Sequence, residues 1–156
     1  MSPVAGLGAR PVDATIDAMK KVFTGMAALL LLAVIAQFYL AAGGAFDTAP
    51  NEESFQPHRM LGNAILVFAF VVTIAAAIAR MPGRLIGLSG LVAGLAIVQS
   101  VIREIAKSLG DGTSASGLIF GLHAINGLVI LGVIGMIVRQ SQRISWTPVD
   151  LARTSS

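Results

Sequence analysis

Residues 60–79 read MLGNAILVFAFVVTIAAAIA, a run of 20 residues without a charged side chain. A helix of that length is about 30 Å long, which matches the hydrocarbon core of a membrane. Three further apolar stretches, of at least comparable length, run from Val22 to Phe46, from Leu85 to Ile105 and from Gly117 to Val138. The sequence therefore predicts an all-α fold, an integral membrane bundle of four transmembrane helices.

The composition of the whole chain favours the same class of protein. Of its 156 residues, 55% are hydrophobic and 12% are charged, and the mean hydropathy is +0.81, so membrane lipid is expected to solvate much of the surface. The net charge is +3, but the basic residues stand singly or in pairs and form no face for nucleic acid. The absence of cysteine excludes disulfides, thiolate-held metals and covalently attached haem.

The chain is predicted to have one domain with two short tails. Residues 1–19, with two prolines and two glycines, indicate a flexible N-terminal tail, residues 20–140 the bundle, and residues 141–156 a cytoplasmic C-terminal tail. No internal repeat is visible. Glycines recur along the third and fourth stretches, where they predict close contact between helices.

Lysine and arginine predict the orientation, because cytoplasmic loops carry an excess of both. One set of segments holds eight of these residues, and the opposite set holds three. The first set is Arg10, Lys20, Lys21, Arg80, Arg84, Arg139, Arg143 and Arg153; the second is Arg59, Arg103 and Lys107. We therefore expect a multi-pass protein of the plasma membrane with both termini cytoplasmic. The short turn Met81-Pro82-Gly83 predicts that the second and third helices are antiparallel neighbours.

Polar residues of all four helices fall in the predicted outer half of the bundle, and polar groups in hydrocarbon are costly enough to have a reason. Both histidines of the chain, His58 and His123, belong to this cluster. The other members are Gln37, Tyr39, Asn63, Gln99, Ser100 and Asn126.

Two neutral imidazoles on different helices suit a planar haem, whose iron takes one axial nitrogen on each face. Gly62 and Gly127 each lie four residues after a histidine, which predicts a notch for the edge of a tetrapyrrole. At the rim, cations are expected to pair with haem propionates, and one of three amide residues is expected to accept from the second nitrogen of a ligand and fix its tautomer. The rim cations are Arg59, Arg103 and Lys107, and the candidate amides are Gln37, Gln99 and Asn126.

Two considerations oppose this interpretation. His58 could be an interfacial residue beside Pro57, and His123 a hydrogen-bond donor between helices. If both helices are centred in the bilayer, His123 lies about five residues deeper than His58, a height difference on the order of 8 Å.

Taken together, the polar motifs resemble one four-helix half of the haem A synthase fold over residues 20 to 140. The motifs are Gln37-Phe38-Tyr39-Leu40-Ala41, His58-Arg59 followed by Gly62, Gln99, and Leu122-His123-Ala124. The chain also resembles an uncharacterised family of small bacterial four-helix membrane proteins with the same two histidines. The resemblance to haem A synthase implies that His58 and His123 ligate one haem b on the outer side of the membrane.

The departures from haem A synthase limit what the resemblance implies. Only one half is present, so a second haem would require a homodimer. Phe55 stands where that family has its catalytic carboxylate, so its oxygenation chemistry is not expected here. Two hypotheses follow: a small b-type cytochrome that transfers electrons to a redox partner, or a cofactor-free accessory or assembly subunit of a larger membrane complex. A transporter or an enzyme is the weakest alternative, because no carboxylate lies mid-helix and no nucleophile–base pair is seen.

Overall fold

The computed structural model describes residues 11–110 and 113–146, and these residues form helices without a strand. The helices are α1 (Pro11–Phe46), α2 (Asn51–Ser54), α3 (Gln56–Ile78), α4 (Gly83–Ser108) and α5 (Ser114–Ser145). The four long ones, α1, α3, α4 and α5, contain the four apolar stretches, and each is long and apolar enough to cross a membrane. The predicted all-α four-helix membrane bundle is therefore confirmed.

The tails are shorter than predicted. Helix α1 begins at Pro11, so residues 11–19 are helical; proline is tolerated in a first helical turn because its missing N–H has no partner there. The ion pair between Lys20 Nζ and Asp17, at 3.0 Å, lies on this added segment. Helix α5 likewise continues through residues 141–145 to Ser145. The rest of both predicted tails, residues 1–10 and 147–156, lies outside the described residues.

The four long helices form a closed ring in the order α1, α3, α4, α5, so that each helix packs against two others. The diagonal pairs, α1 with α4 and α3 with α5, have no close backbone contact in the described ranges. Phe23, Leu30, Val72, Val92 and Ile134 are fully buried inside the ring. Many large apolar side chains, such as Leu32 and Leu128, point outward, as expected of a surface that faces lipid.

Both described chain ends lie at the same end of the bundle. The hydroxyl of Thr24 in α1 is 2.9 Å from that of Ser145 in α5, and Ser145 also donates to the carbonyl of Lys20 at 3.2 Å. At the other end, here called the histidine end, lie His58 and His123. An even number of crossings accounts for this arrangement.

The predicted tight turn between the second and third apolar stretches is confirmed. Helix α3 ends at Ile78 and α4 begins at Gly83, and the two pack as neighbours. Arg80 adopts a positive φ of 51°, and Met81 is buried in the turn with its N–H donating to the carbonyl of Ala76. The turn thus buries the apolar side chain of Met81 at this end of the bundle.

Most glycines do not lie where helices meet, contrary to the sequence-based expectation. A Cβ added at Gly87, Gly94, Gly121 or Gly132 would have no heavy atom of another described residue within 4 Å. Close approach occurs instead at the histidine end, at Gly44, Gly62 and Gly127. Most glycines of α4 and α5 therefore face the outside of the bundle, with Gly90 and Gly127 as the exceptions.

Candidate cofactor site

His58 and His123 meet across the diagonal of the bundle. Their ring centroids are 6.2 Å apart and their planes are inclined by 52°, although the helices that carry them, α3 and α5, are not neighbours in the described chain. Both side chains are half-buried. The structure therefore brings together the two residues that the sequence singles out as ligands.

The expected height difference between the two histidines is wrong, because the helices are not centred on each other. Helix α3 begins only two residues before His58, with Pro57 in its first turn. Helix α5 begins nine residues before His123, where Thr113 caps it by accepting from the N–H of Ser116 at 3.1 Å. The seven extra residues of α5 correspond to about 10 Å, and with ring centroids 6.2 Å apart the two rings cannot differ in height by more than that distance.

His58 is held by Gln37 of α1 through two reciprocal hydrogen bonds. The ring Nδ1 lies 3.1 Å from the backbone carbonyl of Gln37, and the side-chain amide of Gln37 donates to the backbone carbonyl of His58 at 2.7 Å. A carbonyl can only accept, so Nδ1 carries the proton and Nε2 of the neutral ring keeps its lone pair. Gln37 thus accepts from the second ring nitrogen, as expected, and it does so through its backbone oxygen.

His123 has a similar partner in α4 but no hydrogen bond to its ring. The side-chain amide of Gln99 donates to the backbone carbonyl of His123 at 2.9 Å, while Asn126 donates to the amide oxygen of Gln99 and to the carbonyl of Leu95. Nδ1 of His123 is buried without a hydrogen-bond partner among the described residues. Of the three predicted acceptors, only Gln37 therefore accepts from a histidine ring among the described residues.

The two predicted notches, at Gly62 and Gly127, both border a cavity beside the histidines, but side chains of the protein also lie close to them. A Cβ on Gly62 would lie 2.8 Å from the side-chain nitrogen of Gln37, and a Cβ on Gly127 would lie 3.3 Å from Cζ of Phe38 and 3.8 Å from the side-chain nitrogen of Gln99. The missing side chains thus make room for residues of α1 and α4. That the two glycines also receive the edge of a tetrapyrrole stays a prediction.

A cavity of about 200 Å³ adjoins the two rings and is mostly apolar. Among the described residues that line it are both histidines, Gln37, Gln99 and, at the rim, Arg59 and Arg103, but no carboxylate. Arg59 donates to the backbone carbonyl of Glu52, and Arg103 pairs with Glu104 at 2.7 Å. Lys107, the third predicted rim cation, does not line the cavity.

An internal repeat becomes visible at this site, although the sequence had suggested none. Phe55 and Phe120 each lie three residues before a histidine and meet its ring edge-to-face, at centroid distances of 6.2 and 6.4 Å. Residues 55–62 and 120–127 thus share the pattern Phe-x-x-His-x-x-x-Gly. The motif was present in the sequence, but eight positions with three identities stand out only after the geometry shows that they are equivalent.

The protein groups alone would make a poor site for a bare metal ion. No group of three or more His, Cys, Asp or Glu side chains close enough for one ion occurs in residues 11–110 and 113–146. Two imidazoles supply a pair of ligands, so the remaining positions of a bound metal would have to come from its own chelating group.

Comparison with known proteins gives one family and no function. The chain matches a family of unknown function (DUF6220) over residues 37–106, which is just under half of its length. The match contains Gln37, His58 and Gln99 but ends before α5 and His123. No curated protein and no solved structure matches the chain. The resemblance to haem A synthase stays a prediction, and the functional argument depends on the geometry of the site.

Proposed function

We propose that this protein is a small membrane-embedded b-type cytochrome, in which His58 and His123 hold one haem b and the bundle transfers electrons. The observation that carries the proposal is the 6.2 Å separation of the two rings. A metal–imidazole bond is about 2.0 Å, and a ring nitrogen lies about 1.1 Å from the ring centre for C–N bonds near 1.33 Å. Two imidazoles on opposite sides of one ion therefore have centroids about 6 Å apart, as these have.

The state of the two rings supports the same proposal. His58 has Nε2 available as a ligand, because its other nitrogen donates to Gln37, an arrangement typical of metal-ligating histidines. His123 has a buried nitrogen without a protein partner in the described residues, which costs about 1–3 kcal/mol unless something else satisfies it. Bound haem b would supply a one-electron redox centre at this position.

The other residues of the site have simple roles in this proposal. Phe55 and Phe120 pack edge-to-face against the two rings and restrict how the rings can turn. Arg59 and Arg103 place positive charge at the rim of the cavity, where carboxylates of a ligand are stabilised. With Phe55 in place of a carboxylate, the site has no evident general acid or base beyond the two ligands, so electron transfer is favoured over oxygenation.

The cavity is smaller than the ligand it would receive. Pockets for ligands the size of a tetrapyrrole measure about 300–1,000 Å³, whereas this one measures about 200 Å³. Helices α1 and α4 face each other across the second diagonal without backbone contact in the described residues, so space for a larger ligand would have to open between them. The proposal therefore includes a widening of the histidine end when the cofactor binds.

Orientation is part of the proposal. The excess of Lys and Arg at the end opposite to the histidines supports a cytoplasmic position for both termini and an extracytoplasmic position for the site in the plasma membrane. A redox partner would then approach the rim formed by α2 and the ends of α4 and α5.

A visible spectrum of protein purified after haem-replete expression tests the function. Two imidazole ligands make the iron low-spin, so the reduced protein should show sharp, split bands. His58→Ala and His123→Ala should each abolish them, whereas Tyr39→Phe, at an exposed position outside the cavity, should keep them. Colourless protein, or a low-spin spectrum that survives His123→Ala, would reject the cytochrome and favour the accessory or assembly subunit.

A further inference from the structure

We infer that Gln37 and Gln99 are a matched pair of positioning residues, each of which sets the place of the next histidine by donating to that histidine's own backbone carbonyl. Gly62 leaves the space through which Gln37 reaches its acceptor. This inference deepens the proposed function, and its meaning for haem rests on that function. The claim that the two glutamines position the histidines does not rest on haem binding, because it concerns only contacts within the chain.

The two contacts are equivalent in the fold. Gln37 of α1 donates to the carbonyl of His58 in α3 at 2.7 Å, and Gln99 of α4 donates to the carbonyl of His123 in α5 at 2.9 Å. In each case the donor lies on a helix that is both a neighbour in the ring and the long helix preceding in the chain. The pair therefore links each histidine-bearing helix to its partner at the level of the site.

Helix geometry explains why His58 is followed by glycine four residues later. Inside a helix, the carbonyl of residue i accepts from the N–H of residue i+4 and keeps a second lone pair for an outside donor. The Cβ of residue i+4 tilts back over residue i and covers the approach to that lone pair. At Gly62 a Cβ would be 2.8 Å from the Gln37 nitrogen, a distance at which the amide has to move.

The second gap is looser. A Cβ at Gly127 would meet Cζ of Phe38 at 3.3 Å and the Gln99 nitrogen at 3.8 Å. The Gln99 amide also has its oxygen held by Asn126, whereas the Gln37 oxygen is buried without a partner in the described chain. A methyl group at residue 127 should consequently disturb the site less than one at residue 62.

Such contacts matter in lipid because apolar side chains do not by themselves fix the rotation of one helix against another. Successive residues of a helix point about 100° apart, so a modest rotation of α3 or α5 would turn its histidine away from the diagonal. A hydrogen bond to the backbone of the histidine itself restrains that rotation at the residue whose position matters most. The two glutamines thus preset the ring separation.

A double-mutant cycle tests the inference in protein without cofactor. Gln37→Ala and Gly62→Ala should each raise the unfolding equilibrium constant about 3- to 18-fold, which corresponds to the average and the maximum measured for hydrogen bonds between membrane helices. In Gln37→Ala the amide that a methyl group at residue 62 would strike is gone, so adding Gly62→Ala should have little further effect. Gly87→Ala, where the added Cβ meets open space, is the control and should not destabilise the bundle.

The same variants are then compared after haem loading. Gln37→Met, which keeps the length of the side chain but cannot donate, should broaden or shift the low-spin signals and speed haem loss, and the cycle of Gln37→Ala with Gly62→Ala should again be non-additive. If Gly62 instead makes room for the tetrapyrrole, Gly62→Ala will impair haem retention equally with Gln37 or Ala at position 37. That result, or additive unfolding effects in the cofactor-free protein, overturns the inference. Failure of every form to bind haem would reject the cytochrome alone and leave the unfolding cycle to decide.

Discussion

Asn126→Ala is expected to destabilise the contact between α4 and α5 and, with it, the place of His123. The side-chain nitrogen of Asn126 donates to the carbonyl of Leu95 at 3.0 Å and to the amide oxygen of Gln99. Gln99 in turn donates to the carbonyl of His123. The alanine variant therefore loses two interhelical hydrogen bonds and releases the amide that holds the histidine's helix.

The expected loss of unfolding free energy follows from the number of hydrogen bonds broken and from their location inside the membrane. Hydrogen bonds between membrane helices contribute about 0.6 kcal/mol on average and at most about 1.7 kcal/mol. The Leu95 carbonyl keeps its bond within α4, but the Gln99 oxygen loses its donor in a half-buried position. We therefore expect a loss of about 1–3 kcal/mol in the free energy of unfolding.

The measurement is equilibrium unfolding in mixed micelles, followed by circular dichroism. Asn63→Ala is the matched control, because Asn63 also borders the cavity but is exposed and makes no side-chain hydrogen bond in the described residues. It should change the unfolding free energy by less than about 0.5 kcal/mol. Equal effects of the two substitutions would refute the view that the Asn126–Gln99 pair fastens α5 to α4.

Three further outcomes are expected. Tags at both termini should be accessible only from the cytoplasm, and a tag inserted after Thr48 only from outside; labelling of a terminus in intact cells would reverse the proposed orientation. Arg59→Ala should lower the haem midpoint potential by about 10–40 mV, the equivalent of the 0.2–1 kcal/mol of an exposed charge pair, since removing a cation disfavours added negative charge. Arg103→Ala should have the smaller effect in the same redox titration, because Glu104 already offsets that charge, and the opposite order would contradict this account. Ile134→Ala, at a fully buried site, should cost about 2–5 kcal/mol in unfolding free energy, while Ile125→Ala, 58% exposed, should cost little.

The sequence was enough to predict the helices and the two residues at the centre of the site. Apolar runs of about twenty residues form helices in lipid, because every backbone N–H and C=O must find its hydrogen-bond partner within the segment. The same cost makes polar residues in such runs conspicuous, which is why His58, His123 and their amide neighbours could be selected by type and position alone. The turn at Met81-Pro82-Gly83 was also predictable from local sequence, because adjacent proline and glycine favour a tight turn.

Only the tertiary structure decided how these residues are used. Where α3 and α5 begin relative to each other depends on caps and packing at the histidine end, so the level of the two rings did not follow from centring each apolar stretch. The hydrogen-bond partners of Gln37 and Gln99 depend on the rotation of neighbouring helices. The same rotation decides which side chains lie beside Gly62 and Gly127. Hydropathy is nearly blind to that rotation, since lipid and protein interior are equally apolar, and the contacts of Gln37 and Gln99 with the histidine carbonyls appear only once the four helices are packed.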